Sequence, residues 1–236
     1  MSDHIVKSFD EDLKLLKKEI ATMGERASAL LARAIQAVRT HDAELAERVI
    51  LDDRELDELN RSISKTAIRI LALRQPVAVD LREGVAAIRI ATDLERCGDL
   101  AKSIAKRTEV FARFPGGNHV ERLARMAHEV RQQLALVMNA YMEGDVGLAH
   151  DVWQRDQVID DIYNGVFREY LTYMMEDPRT ISVYAHALFM AKNVERIGDH
   201  CANIAASVYY VLTGDLLEDD RPKGEDTSST IVTSED

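Results

Sequence analysis

Glu95-Arg96-Cys97-Gly98-Asp99 and Glu195-Arg196-Ile197-Gly198-Asp199 write one pattern, Glu-Arg-X-Gly-Asp, twice in a chain of 236 residues. The copies lie 100 residues apart, and each is followed at the same distance by Ile-Ala, Ile104-Ala105 and Ile204-Ala205. Both lie in stretches whose apolar residues recur at helical spacing. On a helix, residues four apart are separated by about 40° of rotation and about 6 Å of rise. Each copy therefore sets two carboxylates side by side on one face. The repetition predicts an internally duplicated protein that handles cations twice.

Working outward from the two copies, the halves of the chain align. Met23 matches Met126, Val49 matches Val152, Asp53 matches Asp156, Asp57 matches Asp160 and Leu59 matches Ile162, all at an offset of 103. By the duplicated pattern the offset is 100, so three residues are absent from the second half, most simply in the joints around Pro76 and Pro178. All four prolines fall at joints and none inside a helical run, as expected of a residue that breaks helices. Ser8-Phe9-Asp10-Glu11 reads as a capping box opening a first helix to about Arg39. Asp42 caps a second to about Leu73, and a third follows Pro76 to about Ala112. Phe114-Pro115-Gly116-Gly117-Asn118 divides the halves. A fourth helix runs to about Met142, a fifth to about Met175, and a sixth from Asp177-Pro178 to about Leu212. The expectation is an all-α chain of six long helices in two tandem, antiparallel three-helix bundles, spanning 8–114 and 118–212. Residues 213–236 form an acidic tail read as disordered.

Rotation about each helix predicts the buried faces. Leu45, Val49, Leu56, Leu59, Ile63 and Ile70 form one stripe, and Met190, Val194, Ile197, Cys201, Ile204 and Val208 another. Composition narrows the function. The net charge is −11, of which the tail, with eight acids and two bases, supplies −6 and the body about −5. That balance argues against general nucleic-acid binding, which needs a basic footprint. No apolar stretch approaches the roughly 20 residues that cross a bilayer, and no secretory signal is visible at the start. Cys97 and Cys201 share no equivalent position and form no Cys-X-X-Cys, so they read as reduced thiols of a cytoplasmic protein.

Asp53 and Asp57, and again Asp156 and Asp160, are also four apart. Each half thus carries an Asp-X-X-X-Asp on its second helix and a Glu-X-X-X-Asp on its third. Where those helix edges pack together, Asp53, Asp57, Glu95 and Asp99 meet, as do Asp156, Asp160, Glu195 and Asp199. Like charges at such spacing cost tenths of a kcal/mol even on an isolated helix, and cations remove that cost. An all-oxygen donor set suits Mg²⁺, Mn²⁺, Ca²⁺ or iron and argues against zinc or copper. A solvated charged face is the better account of any single pair, and Arg96 and Arg196 are placed to screen the acids; four pairs at equivalent places in two halves bring the metal reading level with it. Gly98 and Gly198 each cost about 1 kcal/mol of helix propensity relative to Ala, a cost usually compensated by close approach of a backbone or ligand. The histidines show no ligand spacing aimed at the acids, and the position three after each glutamate is glycine rather than the histidine a di-iron carboxylate site would use. No nucleophile elbow or phosphate loop is present.

Taken together, these residues resemble the signature of the PhoU family, in which a Glu/Asp-X-X-X-Asp motif recurs in each of two three-helix bundles. The resemblance covers about residues 8 to 212. It implies a non-enzymatic adaptor and negative regulator that links the high-affinity phosphate ABC transporter, through its ATPase, to a phosphate-responsive sensor histidine kinase. Members of the family are cytoplasmic and commonly homodimeric. The resemblance further implies divalent or iron cations (Mg, Mn or Fe) at Glu95, Asp99, Glu195 and Asp199, with Asp53, Asp57, Asp156 and Asp160 as facing ligands. Cation bridging makes peripheral membrane association a further expectation. The alternative function is a metal-dependent phosphoester hydrolase, motivated by the same carboxylates. One departure is Asp93, whose counterpart is Asn193, so the two sites are expected to differ.

Overall fold

A computed structural model describes residues 2–74, 79–114 and 120–217, all of whose regular structure is helical. In chain order the helices are α1 (Ser2–Thr40), α2 (Ala43–Arg74), α3 (Val79–Ala105), α4 (Thr108–Ala112), α5 (Glu121–Glu143), α6 (Val146–Gln154), α7 (Asp156–Glu176) and α8 (Ile181–Thr213). They make the two tandem three-helix bundles expected from the sequence. The joints at Pro76 and Pro115 and the tail from residue 218 lie outside the described residues.

Local signals account for most boundaries. The Asp42 carboxylate accepts the Leu45 N–H at 2.9 Å, and Asp145 does the same for Leu148 at 2.9 Å, so both cap the helices that follow them. Gly144 ends α5 in the left-handed region at φ 70°. Asp177 accepts the Arg179 N–H and opens a single 3₁₀ turn, Pro178–Thr180, that runs into α8. Three expectations need correction. The first helix begins at Ser2, so its backbone is already helical at Ser8 and no capping box opens there. The third helix breaks at Lys106-Arg107, where the Arg107 N–H turns back to Ile104 at 3.0 Å and Thr108 donates its hydroxyl to Ala105 O at 2.8 Å. The fifth breaks at Arg155 into α6 and α7. In an unbroken helix the Val152 carbonyl would accept the Asp156 N–H; here it accepts the side-chain amide of buried Gln133 at 3.3 Å, a side-chain insertion of the kind that kinks helices. The position equivalent to Gln133 in the first half is Leu30, and α2 is continuous there.

The bundles share a core. α1 packs on α3, α3 on α8, α8 on α5, and α5 back on α1, which closes a ring of four helices. α2 covers α1 and α3 on one side, and α6 and α7 cover α8 and α5 on the other. α3 and α8 run antiparallel: Arg82 Nε donates to Val211 O at 3.2 Å at one end, and His200 Nδ1 meets Asp93 Oδ1 at 2.9 Å nearer the middle. Both expected stripes face inward, with Val49, Leu56, Ile63 and Ile70 buried in α2 and Met190, Val194, Ile197, Cys201, Ile204 and Val208 buried in α8. Together they belong to one continuous apolar cluster that runs through both halves. No helix among the described residues is long and apolar enough to cross a membrane.

The duplicated glycines sit where the outer helices cross the ring. A Cβ at Gly98 would strike Leu56 Cδ1 and lie 2.8 Å from Asp53 Oδ1, whereas at Gly198 the nearest atom, Ile159 Cγ2, is 3.2 Å away. Leu56 is fully buried, so Gly98→Ala overpacks at a cost of about 1–3 kcal/mol, offset by about 1 kcal/mol of helix propensity. Gly198→Ala requires a shift of only tenths of an ångström. Urea unfolding is expected to show a clear loss of stability for Gly98→Ala and little change for Gly198→Ala; equal effects would mean that the tight crossing in the first half is not real.

Candidate functional site

Each crossing carries an acidic cluster, assembled from the residues the sequence pointed to. In the first half, α2 supplies Asp53 and Asp57 and α3 supplies Glu95 and Asp99. Asp53 is 2% exposed, beside Gly98, where the absent Cβ leaves room for it. Glu95 feels the negative charges of Asp99, Asp57 and Asp53, so the four are electrostatically one group. The cation among them is Lys102, which the sequence reading did not single out. Its ammonium donates to Asp53 Oδ2 and, at 2.6 Å, to Asp99 Oδ1. Burial opposes its charge, but the bonds to Asp53 and Asp99 outweigh that and hold it protonated. Arg96 reaches Asp99 at 3.3 Å and Glu95 at 3.5 Å. A lysine three residues after Asp99 shares its face, and that spacing was the available signal.

In the second half, α7 supplies Asp156 and Asp160 and α8 supplies Glu195 and Asp199. Because α6 ends at Gln154, Asp156 opens a helix, where the N-terminal partial charge favours a carboxylate. Asp156 is buried, with Oδ1 3.5 Å from the Cβ position of Gly198. Glu195 is 8% exposed and feels the charges of Asp199 and Asp160. Position 202, equivalent to Lys102, is Ala202. The cation here is instead Lys192, which donates to Glu195 Oε1 at 2.6 Å from the rim and lies 5.2 Å over the Tyr163 ring. Glu195 Oε2 and Gln133 Oε1 are buried without a hydrogen-bond partner. Gln133 was also missed; a glutamine where the first half has leucine was its one trace in the sequence.

Other residues fall outside the clusters. Asp93 faces His200 across the α3–α8 seam, so its difference from Asn193 belongs to the contact between halves. Both cysteines are free and buried, their thiols pushed well up by burial. In this conformation no three His, Cys, Asp or Glu side chains among the described residues converge closely enough to enclose a metal ion. The donor set nonetheless fits a hard cation, being all oxygen, with buried oxygens lacking donors in the second half.

Asp53, Glu95 and Glu195 all hold their protons above the ordinary carboxylate range near 3.8 and 4.5. The leading cause in each is loss of water on burial, opposed at Asp53 and Glu195 by their lysines and at Glu95 by Arg96. A carboxyl raised on folding contributes stability that is present below its unfolded pKa and lost as pH rises through its folded one. In chelator, the melting temperature of Asp53→Asn/Glu95→Gln/Glu195→Gln relative to the unmodified chain is therefore expected to rise as the pH is raised from the ordinary carboxylate range, about 4, toward neutrality. A difference independent of pH would contradict the buried, ionised clusters.

A family model for the PhoU domain matches residues 20–108 and again residues 123–208. The chain is 46% identical over 224 residues to the phosphate-specific transport system accessory protein PhoU homolog of Caulobacter vibrioides, covering 94% of this chain and 97% of that protein. It is also 46% identical over 230 residues to the homolog of the same description from Rhizobium meliloti, covering 96% of each. Among solved structures, the crystal structure of PhoU from Pseudomonas aeruginosa superposes with a TM-score of 0.84 at 32% identity, over 88% of this chain and all of that one. The chain belongs to the PhoU family.

Proposed function

We propose that the chain is an accessory regulator of phosphate transport. In this reading it works in the cytoplasm as an adaptor that couples the ATPase of the high-affinity phosphate ABC transporter to a phosphate-responsive sensor histidine kinase and holds starvation signalling off. The observation that carries it is the near-complete match to relatives described as accessory proteins of the phosphate-specific transport system. The two acidic clusters give the reading a physical means. They lie on crossings of one rigid ring, so a cation bound at either presents positive charge at a fixed place on an acidic body of net charge about −5. Such a charge can bridge to carboxylate or phosphate groups of a partner or of a membrane surface. The family resemblance adds homodimer formation to the proposal.

The test is binding of the purified chain to the transporter ATPase and to the cytoplasmic sensor region of the kinase, each measured with Mn²⁺ or Mg²⁺ and with chelator. Binding of both partners, weakened about tenfold or more by chelation, a loss of about 1.4 kcal/mol, is the expected result. Binding indifferent to chelation would remove the cations from the mechanism, and binding of neither partner would overturn the adaptor.

A further inference from the structure

The two clusters are copies in sequence but not in chemistry. Lys102 is a cation built into the first. It is 24% exposed, and its one ammonium joins Asp53 of α2 to Asp99 of α3. A tethered ammonium so placed occupies the gap between helices that a metal ion would need. The second half has Ala202 at that position. Its lysine, Lys192, is 50% exposed and pairs with Glu195 of its own helix, one turn away, instead of joining the aspartates of two helices.

The second cluster also has an acceptor that the first lacks. Gln133 is 4% exposed, and its Oε1 has no hydrogen-bond partner. That oxygen lies 3.6 Å from the Cβ position of Gly198, and Asp156 Oδ1 lies 3.5 Å from the same point. The amide is fixed in this sense because its Nε2 donates to Val152 O at 3.3 Å, and reversing it would set two carbonyl oxygens against each other. Gly198 and Glu195 are three apart, on one face of α8, and Glu195 Oε2 is also buried without a donor. Buried oxygen acceptors with no proton to share are costly, and a cation relieves them together.

We infer that this chain holds one hard divalent cation, in the second half only, with the Gln133 amide oxygen as a ligand beside Glu195 and Asp156, while Lys102 closes the first half to metal. The inference rests on the cation-binding part of the proposed function and specifies which cluster serves it. The donor set is two carboxylates and a neutral carbonyl, which leaves room for water on an ion of the Mg²⁺ or Mn²⁺ kind.

The test is a titration of the full chain, freed of metal by chelator and dialysis, with Mn²⁺ followed by the magnetic resonance signal of the free ion. One Mn²⁺ per chain is expected. Gln133→Leu, which installs the residue of the first half, is expected to weaken it by about tenfold or more, on the scale of other disturbed metal shells. Lys102→Met is expected to raise the count to two, a gain that misfolding could not produce; circular dichroism checks that Gln133→Leu stays helical. Two ions in the unmodified chain, affinity unchanged by Gln133→Leu in a helical variant, or a count still at one in Lys102→Met would each overturn the inference and leave cation binding standing. No Mn²⁺ bound at all would overturn both.

Discussion

At the crossing of α2 over α3, an aspartate and a leucine of one helix press against a glycine of the other. Asp53 and Leu56 occupy the space that a side chain at position 98 would fill, and Asp156 and Ile159 repeat the arrangement more loosely at Gly198. The contact that buries the leucine or isoleucine also carries a carboxylate out of water, because Asp53 and Leu56, like Asp156 and Ile159, lie one turn apart on the same face. Packing and charge burial are thus one event at these crossings. The apolar contact stabilises the bundle, and the buried acid then requires a positive partner. Lys102 meets that requirement from within the chain. In the second half the partner at the rim, Lys192, leaves buried oxygens unanswered.

The ring formed by α1, α3, α8 and α5 sets the two crossings in one frame. Its seam between α3 and α8 is sealed by Cys97, Cys201 and neighbouring apolar residues and fastened by the Asp93–His200 and Arg82–Val211 contacts. Packed interiors transmit displacement instead of absorbing it. Each crossing involves a helix, α3 or α8, that is itself part of the ring. That arrangement suits the adaptor role proposed for the chain.

Much of this was legible in the sequence because both the helices and the duplication are periodic. The stripes through Val49 and Ile63 or Met190 and Ile204 followed from 3.6-residue spacing, and the grouping of Asp53 with Glu95 and Asp99 followed from acid pairs repeated four apart in both halves; the seat of Asp53 against Gly98 appears only in the structure. The helix breaks were not legible. The kink at Arg155 has neither proline nor glycine to announce it; it depends on Gln133, more than 20 residues earlier, reaching a carbonyl across the bundle. Nor did spacing show that the halves share a ring, since the α3–α8 and α1–α5 contacts join residues about 100 apart with no pattern in common. The same holds for Asp93: its asymmetry with Asn193 was visible, but only the seam reveals that His200 is its partner. The clusters came from local pattern, and their inequivalence from single residues, Lys102 and Gln133, that pattern alone gives no reason to notice.

The most direct test of the account is a crystal structure of the chain grown with Mn²⁺, with an anomalous difference map at the manganese edge. The account predicts one peak per chain beside Glu195 and Gly198, with Gln133 Oε1 in the coordination sphere and the Lys102 ammonium still between Asp53 and Asp99. A peak at the first crossing, or none at the second, would contradict it.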